Sequence, residues 1–76
     1  MDINARLKSI IANQLQIDAD AIADDTDVIE ELSADSLDVV EILMTVEEQL
    51  SVNVPDEAIP ALRTVADMQA YIEENA

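Results

Sequence analysis

Cysteine and histidine are both missing from this chain. Without thiols there is neither a disulfide nor a thiolate metal site to staple a small fold, and without imidazole the usual soft metal ligands are gone. Phenylalanine and tryptophan are absent too, and the one tyrosine is Tyr71, so Ile, Leu, Val, Ala and Met must fill the core. An aliphatic core of this kind suits closely packed helices better than a sheet sandwich. No apolar run approaches the roughly 20 residues that a membrane span requires, and Met1-Asp2 begins with an acid where a signal peptide would be basic. The expectation is a cytoplasmic protein, with a mature organellar form left open.

Bases are nearly absent as well: Arg6, Lys8 and Arg63 stand against 18 acids, for a net charge of −15. Fourteen of those acids, and no base, lie between Lys8 and Arg63. Such a surface repels nucleic acid and favours basic patches on other proteins, reached by long-range steering. A hydrophobic content of 50% separates the chain from disordered acidic tails. Its 76 residues make one domain, residues 1–76, burying roughly 60% of the surface that the unfolded chain exposes. A monomer is expected.

What is present is organised around Ser33–Leu50, S-A-D-S-L-D-V-V-E-I-L-M-T-V-E-E-Q-L. Asp35 is a favoured N-cap, and Asp38 places a second negative charge at the positive end of the helix dipole. At about 100° per residue, Val39, Ile42, Leu43, Val46 and Leu50 share one face, read as core. A second set, Leu37, Val40 and Met44, falls on another face bordered by Asp38, Glu41, Glu47 and Glu48. That strip fits either a surface read by partners or burial under a neighbouring loop.

Ser36, in the first turn, lies between the two faces. It is open to two uses: an ordinary exposed hydroxyl, or the acceptor of a phosphate-containing group, which would meet free backbone N–H groups and the helix dipole. It is no catalytic nucleophile, since activation needs a general base, the chain has no His, and its one Lys, Lys8, is far off in sequence.

The rest of the chain reads as three further helices. Ile3, Leu7, Ile10, Ile11 and Leu15 predict a helix over residues 3–15 with Asp2 as N-cap. Residues 16–34 form a long connection in which Ile17, Ile22, Val28, Ile29 and Leu32 plug the bundle, Asp24-Asp25-Thr26-Asp27 turns the chain, and the length lets the main helix run roughly parallel to the first. The acids there do not make an EF-hand: counted from Asp18, the sixth position is Ala23 instead of Gly and the twelfth is Ile29 instead of Glu. Ser51–Pro55 breaks the main helix, residues 56–61 allow one short helix around Pro60, and Thr64 with Asp67 opens a last helix. In that helix Val65, Met68, Ile72 and Tyr71 face inward until it frays near Glu74. The fold class is all-α, a four-helix bundle of three main helices and one short one, with a long first loop.

Asp35-Ser36-Leu37 at the head of an acidic amphipathic helix, with Val40, Glu41, Met44, Glu47 and Glu48 in place and Val54-Pro55-Asp56-Glu57 following, resembles the acyl carrier protein family. The resemblance runs without a gap from the first helix to Tyr71-Ile72. It implies that Ser36 bears 4′-phosphopantetheine, installed from coenzyme A by a phosphopantetheinyl transferase, and that Asp35 orients the site and contacts the transferase. It further implies a non-enzymatic carrier that holds a covalently bound acyl chain as a thioester for fatty acid biosynthesis. Leu37, Asp38, Val40, Glu41, Met44, Glu47 and Glu48 would dock acyl-processing enzymes with basic patches, and the aliphatic bundle would shelter the chain. Polyketide, aminoacyl or other specialised cargo shares the same Ser36 chemistry; an acidic interaction module with no carrier role is the alternative from another class. Neither implies a metal.

Three departures from the family pattern stand out. Ser33 occupies the place of the usual Gly and is strained by roughly 1–3 kcal/mol if the backbone there has positive φ. Val28 and Leu50 stand where the family often has Phe, and Ala58–Leu62 is more apolar than in typical bacterial fatty-acid carriers.

Overall fold

The computed structural model describes residues 2–75; Met1 and Ala76, the ends of the expected domain, lie outside the described residues. Helix α1 covers Ile3–Leu15, α2 covers Ser36–Leu50 and α3 covers Val65–Asn75, with a short 3₁₀ helix at Asp56–Ala61 between the last two. These are the four helices expected. One further 3₁₀ turn, Ala19–Ala21, lies in the long connection, where sequence reading placed only loop. Asp18 starts it by accepting from the Asp20 N–H at 3.0 Å.

Each α-helix begins on the acid or hydroxyl expected of it. Asp2 accepts from the Ala5 N–H at 3.2 Å. Thr64 Oγ1 accepts from Asp67 N–H at 3.0 Å while an Asp67 oxygen accepts from Thr64 N–H at 3.2 Å. The α-helices α1 and α2 end on residues in the left-handed region, Gln16 (φ 58°) and Ser51 (φ 54°). Glycine usually takes such positions because it lacks the Cβ that crowds there; this chain has none to place. At the far end, α3 runs to Asn75 instead of fraying at Glu74, and Asn75 Nδ2 donates to the Tyr71 carbonyl at 2.8 Å.

One core joins all the elements. Leu7, Ile10 and Ile11 from α1, Val39, Ile42, Leu43 and Val46 from α2, and Val65, Met68 and Ile72 from α3 are buried together. Val52, Val54 and Leu62 close it from the segments on either side of the short helix. Leu50 is only partly buried, at the margin of the expected core face, and so is Tyr71.

The expected parallel run of α1 and α2 is not what the chain does. Arg6, near the start of α1, donates to Gln49, near the end of α2, at 3.0 Å, and Gln14, near the end of α1, donates to Glu41 near the start of α2. The two helices are therefore antiparallel. The connection is long for another reason: it descends beside α1 far enough for Asp24 to meet Asn4 and Lys8, then returns. On that path Ile22, Val28 and Ala34 are the buried plugs, Leu32 is half-buried, and Ile17 and Ile29 are exposed, contrary to the expectation that all five aliphatics plug the bundle.

The same path is fixed to the start of α3. Asp27 bridges to Thr64, the Val28 N–H donates to the Arg63 carbonyl at 2.9 Å, and the Ala66 N–H donates to the Asp24 carbonyl at 2.9 Å. Since the Ala34 N–H also donates to the Val28 carbonyl at 2.9 Å, α3 begins at the end where α2 begins. At the opposite end, Tyr71 Oη lies 3.5 Å from the Asn53 carbonyl just beyond α2, so α2 and α3 run in the same direction.

Candidate functional site

The site is built by the turn that delivers α2. Ser33 sits at φ 59°, a left-handed conformation that costs an L-residue roughly 1–2 kcal/mol. It reverses the chain so that Ala34 is buried, with Asp35 extended behind it (φ −90°, ψ 177°). From there Asp35 Oδ1 accepts from the Asp38 N–H at 2.8 Å, and Asp38 Oδ2 accepts from the Asp35 N–H at 3.3 Å. This reciprocal cap is made with Asp at both ends, where Ser/Thr and Glu are the usual pair.

The cap decides what is left open. Four N–H groups at a helix start have no intrahelical acceptor, and here the carboxylates of Asp35 and Asp38 satisfy two of them. The other two belong to Ser36 and Leu37. The Ser36 hydroxyl is exposed beside them, in the first turn, at the positive end of the α2 dipole. An exposed hydroxyl flanked by two open amides is a fitting attachment point for a phosphodiester, which brings negative charge and acceptor oxygens.

The neighbouring strip is exposed. Leu37 is 64% and Met44 57% exposed, and Val40 between them is half-buried, so no loop among the described residues covers the strip. The acids around it differ in what else they do. Glu48 is exposed and makes no hydrogen bond among the described residues. Glu41 is exposed and accepts from Gln14. Asp38 is half-buried within the cap. Glu47 is half-buried, and its carboxylate accepts from the Val54 N–H at 2.8 Å, a contact that no spacing or motif signals.

The connection that leads to the site is held by ion pairs. Asp24 is 2.9 Å from Lys8 and accepts from Asn4 Nδ2 at 2.8 Å; Lys8's hydrogen bond first, then Asn4's, then the Lys8 charge hold its carboxyl below the usual range. Asp27 accepts from the N–H groups of Glu30 and Ile29 and pairs with Arg63 Nε at 2.9 Å. The Glu30 N–H, foremost, together with Arg63 and the Ile29 N–H, holds that carboxyl low against partial desolvation. Arg63 also reaches Glu30 at 3.6 Å. Among the described residues no three acids converge on a possible metal position, and no helix is long and apolar enough to cross a membrane.

Known proteins resemble this chain over nearly its whole length. The family described as a phosphopantetheine attachment site matches residues 5–72. An acyl carrier protein of Helicobacter hepaticus is 44% identical over 99% of both chains, and one of Akkermansia muciniphila is 46% identical over 95% of this chain and 90% of its own. The solved structure of the acyl carrier protein from Enterococcus faecalis superposes with a TM-score of 0.83 at 28% identity, covering 97% of this chain and 94% of that one. The chain thus belongs to the acyl carrier protein family, whose members carry 4′-phosphopantetheine and hold acyl groups on it in fatty acid synthesis.

Proposed function

We propose that Ser36 is the residue to which 4′-phosphopantetheine is attached, and that residues 1–76 act as a single, monomeric, cytoplasmic carrier domain without enzymatic activity of its own. The observation that carries this reading is the arrangement at the head of α2: an exposed Ser36 hydroxyl beside the two first-turn amides that the Asp35–Asp38 cap leaves open. When bound, the group supplies a terminal thiol, which this cysteine-free chain lacks, to hold an acyl cargo as a thioester. The residues of the chain do the rest. Asp35 and Asp38 fix the turn that presents Ser36, and the amides of Ser36 and Leu37, with the helix dipole, favour negative charge there.

Docking falls to the strip and its rim. Leu37, Val40 and Met44 offer apolar contact, with the pliable Met adapting to different partners. Asp38, Glu41, Glu47 and Glu48 steer basic patches on the transferase and on fatty-acid-processing enzymes, raising the association rate more than the affinity. The carboxylates nearest in sequence to Ser36, those of Asp35 and Asp38, accept from backbone amides of the cap, so this reading assigns the transfer chemistry to the partner.

The test is intact mass after incubation with coenzyme A and a broad-specificity phosphopantetheinyl transferase. The parent should gain one phosphopantetheine and Ser36→Ala none. No gain by a folded, unmodified parent would overturn the reading in favour of a non-carrier interaction module.

A further inference from the structure

The segment between α2 and the short helix is attached by very little. It leaves α2 at Ser51, in the left-handed region, and ends at Pro55, yet it places two buried side chains, Val52 and Val54, in the core. Among the described residues its side-chain ties to the α-helices are one firm hydrogen bond, Val54 N–H to Glu47 Oε2 at 2.8 Å, and the 3.5 Å contact from Tyr71 to the Asn53 carbonyl, while Pro55 is joined to the short helix by the Ala58 N–H at 3.0 Å. No pocket is open among the described residues, so an apolar chain enters the core only where core side chains give way. A strap with one strong tie is the place of least resistance.

That tie ends on an acid of the docking rim. Glu47 lies one turn beyond Met44 and one residue before Glu48, on a molecule of net charge −15 whose partners are selected for positive charge. Its carboxylate faces two competing donors: the Val54 amide within the chain and a Lys or Arg side chain of a docked enzyme. A charged donor in a partly desolvated interface is the stronger of the two.

We infer that Glu47 is a latch: it holds the Val52–Val54 strap on the core in the free protein and releases it when a cationic side chain of a docked enzyme takes its carboxylate. The carboxylate that meets the partner is thus the one that ties down the strap. The inference rests on the carrier reading above and assigns Glu47 a part distinct from that of Glu48, which makes no such bond.

Amide hydrogen exchange at Val54 tests the latch, using the parent, Glu47→Ala, Glu47→Gln and Glu48→Gln. In the free proteins, Glu47→Ala should speed Val54 exchange by roughly tenfold or more, while Glu47→Gln, which keeps an acceptor oxygen, and Glu48→Gln should leave it near the parent rate. Each protein is then given a Ser36→Ala background and saturating phosphopantetheinyl transferase, so that it docks without reacting. Latch release makes Val54 exchange faster in the parent and in Glu48→Gln, and markedly less so in Glu47→Gln. Slower or unchanged exchange in the docked parent, or an unaltered rate in free Glu47→Ala, would overturn the proposal. Loading of the Ser36-containing proteins, followed by mass, reports separately on the carrier reading; a parent that loads normally but does not release Val54 loses only the latch.

Discussion

Three residues without the freedom of glycine, Gln16, Ser33 and Ser51, sit in the left-handed region, and all three lie at places where the chain enters or leaves α1 or α2. The most consequential is Ser33, because the burial of Ala34 and the reciprocal cap that presents Ser36 both follow from its turn. Replacing it by glycine removes a strain of roughly 1–2 kcal/mol and adds about 0.5–1 kcal/mol of unfolded-chain entropy, so Ser33→Gly should stabilise by roughly 0.5–1 kcal/mol. For a domain of this size that is a rise in Tm of a few degrees. Ser33→Val should go the other way, since a β-branched residue is the least tolerant of that conformation. Thermal melts of the two variants decide it; a lower Tm for the glycine variant would show that Ser33 is held by contacts outweighing its strain. The sequence pointed to this residue, though not to Gln16 or Ser51. A left-handed helix end is recognised by its glycine, and a chain without glycine hides its own.

At the scale of elements, α1, α2 and α3 were legible because a 3.6-residue apolar period and an acid or hydroxyl cap are both local signals. The Asp35 cap, the Thr64–Asp67 pair and the existence of the Leu37–Met44 strip all follow from short spacings within a helix, whereas the exposure of that strip, which spacing leaves open, is settled only by the fold. The path of the connection was not legible, and neither was the antiparallel pairing of α1 with α2. Those depend on Asp24 finding Asn4 and Lys8, on Asp27 finding Arg63, and on Glu47 finding Val54, pairings that no periodicity records. Which of the connection's aliphatics plug the bundle is decided by the same tertiary ties.

These ties give the connection a pH dependence of definite sign. The carboxyl of Asp24 is depressed in the folded protein below its ordinary value of 3.8 by Lys8 and Asn4. Its contribution to stability is therefore complete above that value and is lost as pH falls through the lower, folded-state value. Asp24→Asn should consequently differ from the parent in Tm at pH 6, and the difference attributable to this contact should shrink as the pH is taken below 3.8. Melts of both proteins from pH 6 to pH 2.5 provide the measurement. A gap that stays constant down to the lowest pH at which both fold would mean that the Lys8–Asp24 pair supplies no pH-linked stability.

On the scale of the whole molecule, a charge of −15 is carried by a body 26 × 26 × 19 Å across. Lys8 and Arg63 form three ion pairs along the connection and Arg6 donates to Gln49, so among the described residues no acid of α2 is in an ion pair. At an ionic strength of 0.01 M the Debye length, about 30 Å, exceeds the protein itself, so every acid repels every other; at 0.1 M it is about 10 Å and only near neighbours do. Salt weakens the ion pairs as well, but exposed pairs contribute little, and repulsion among 18 acids outweighs attraction to 3 bases. Stability should therefore rise with salt, most steeply between about 0.01 and 0.1 M, and millimolar magnesium should raise Tm more than sodium at equal ionic strength because a divalent cation gathers more strongly between neighbouring carboxylates than general screening accounts for. The acids that cause this repulsion are the ones that steer docking, so removing them would stabilise the free carrier and slow its encounters. Melting curves across a sodium chloride titration, repeated with magnesium chloride, test the argument: a Tm that is flat or falls would mean that the acids are too far apart in the folded protein to repel one another, and that the sparse ion pairs govern its response to salt.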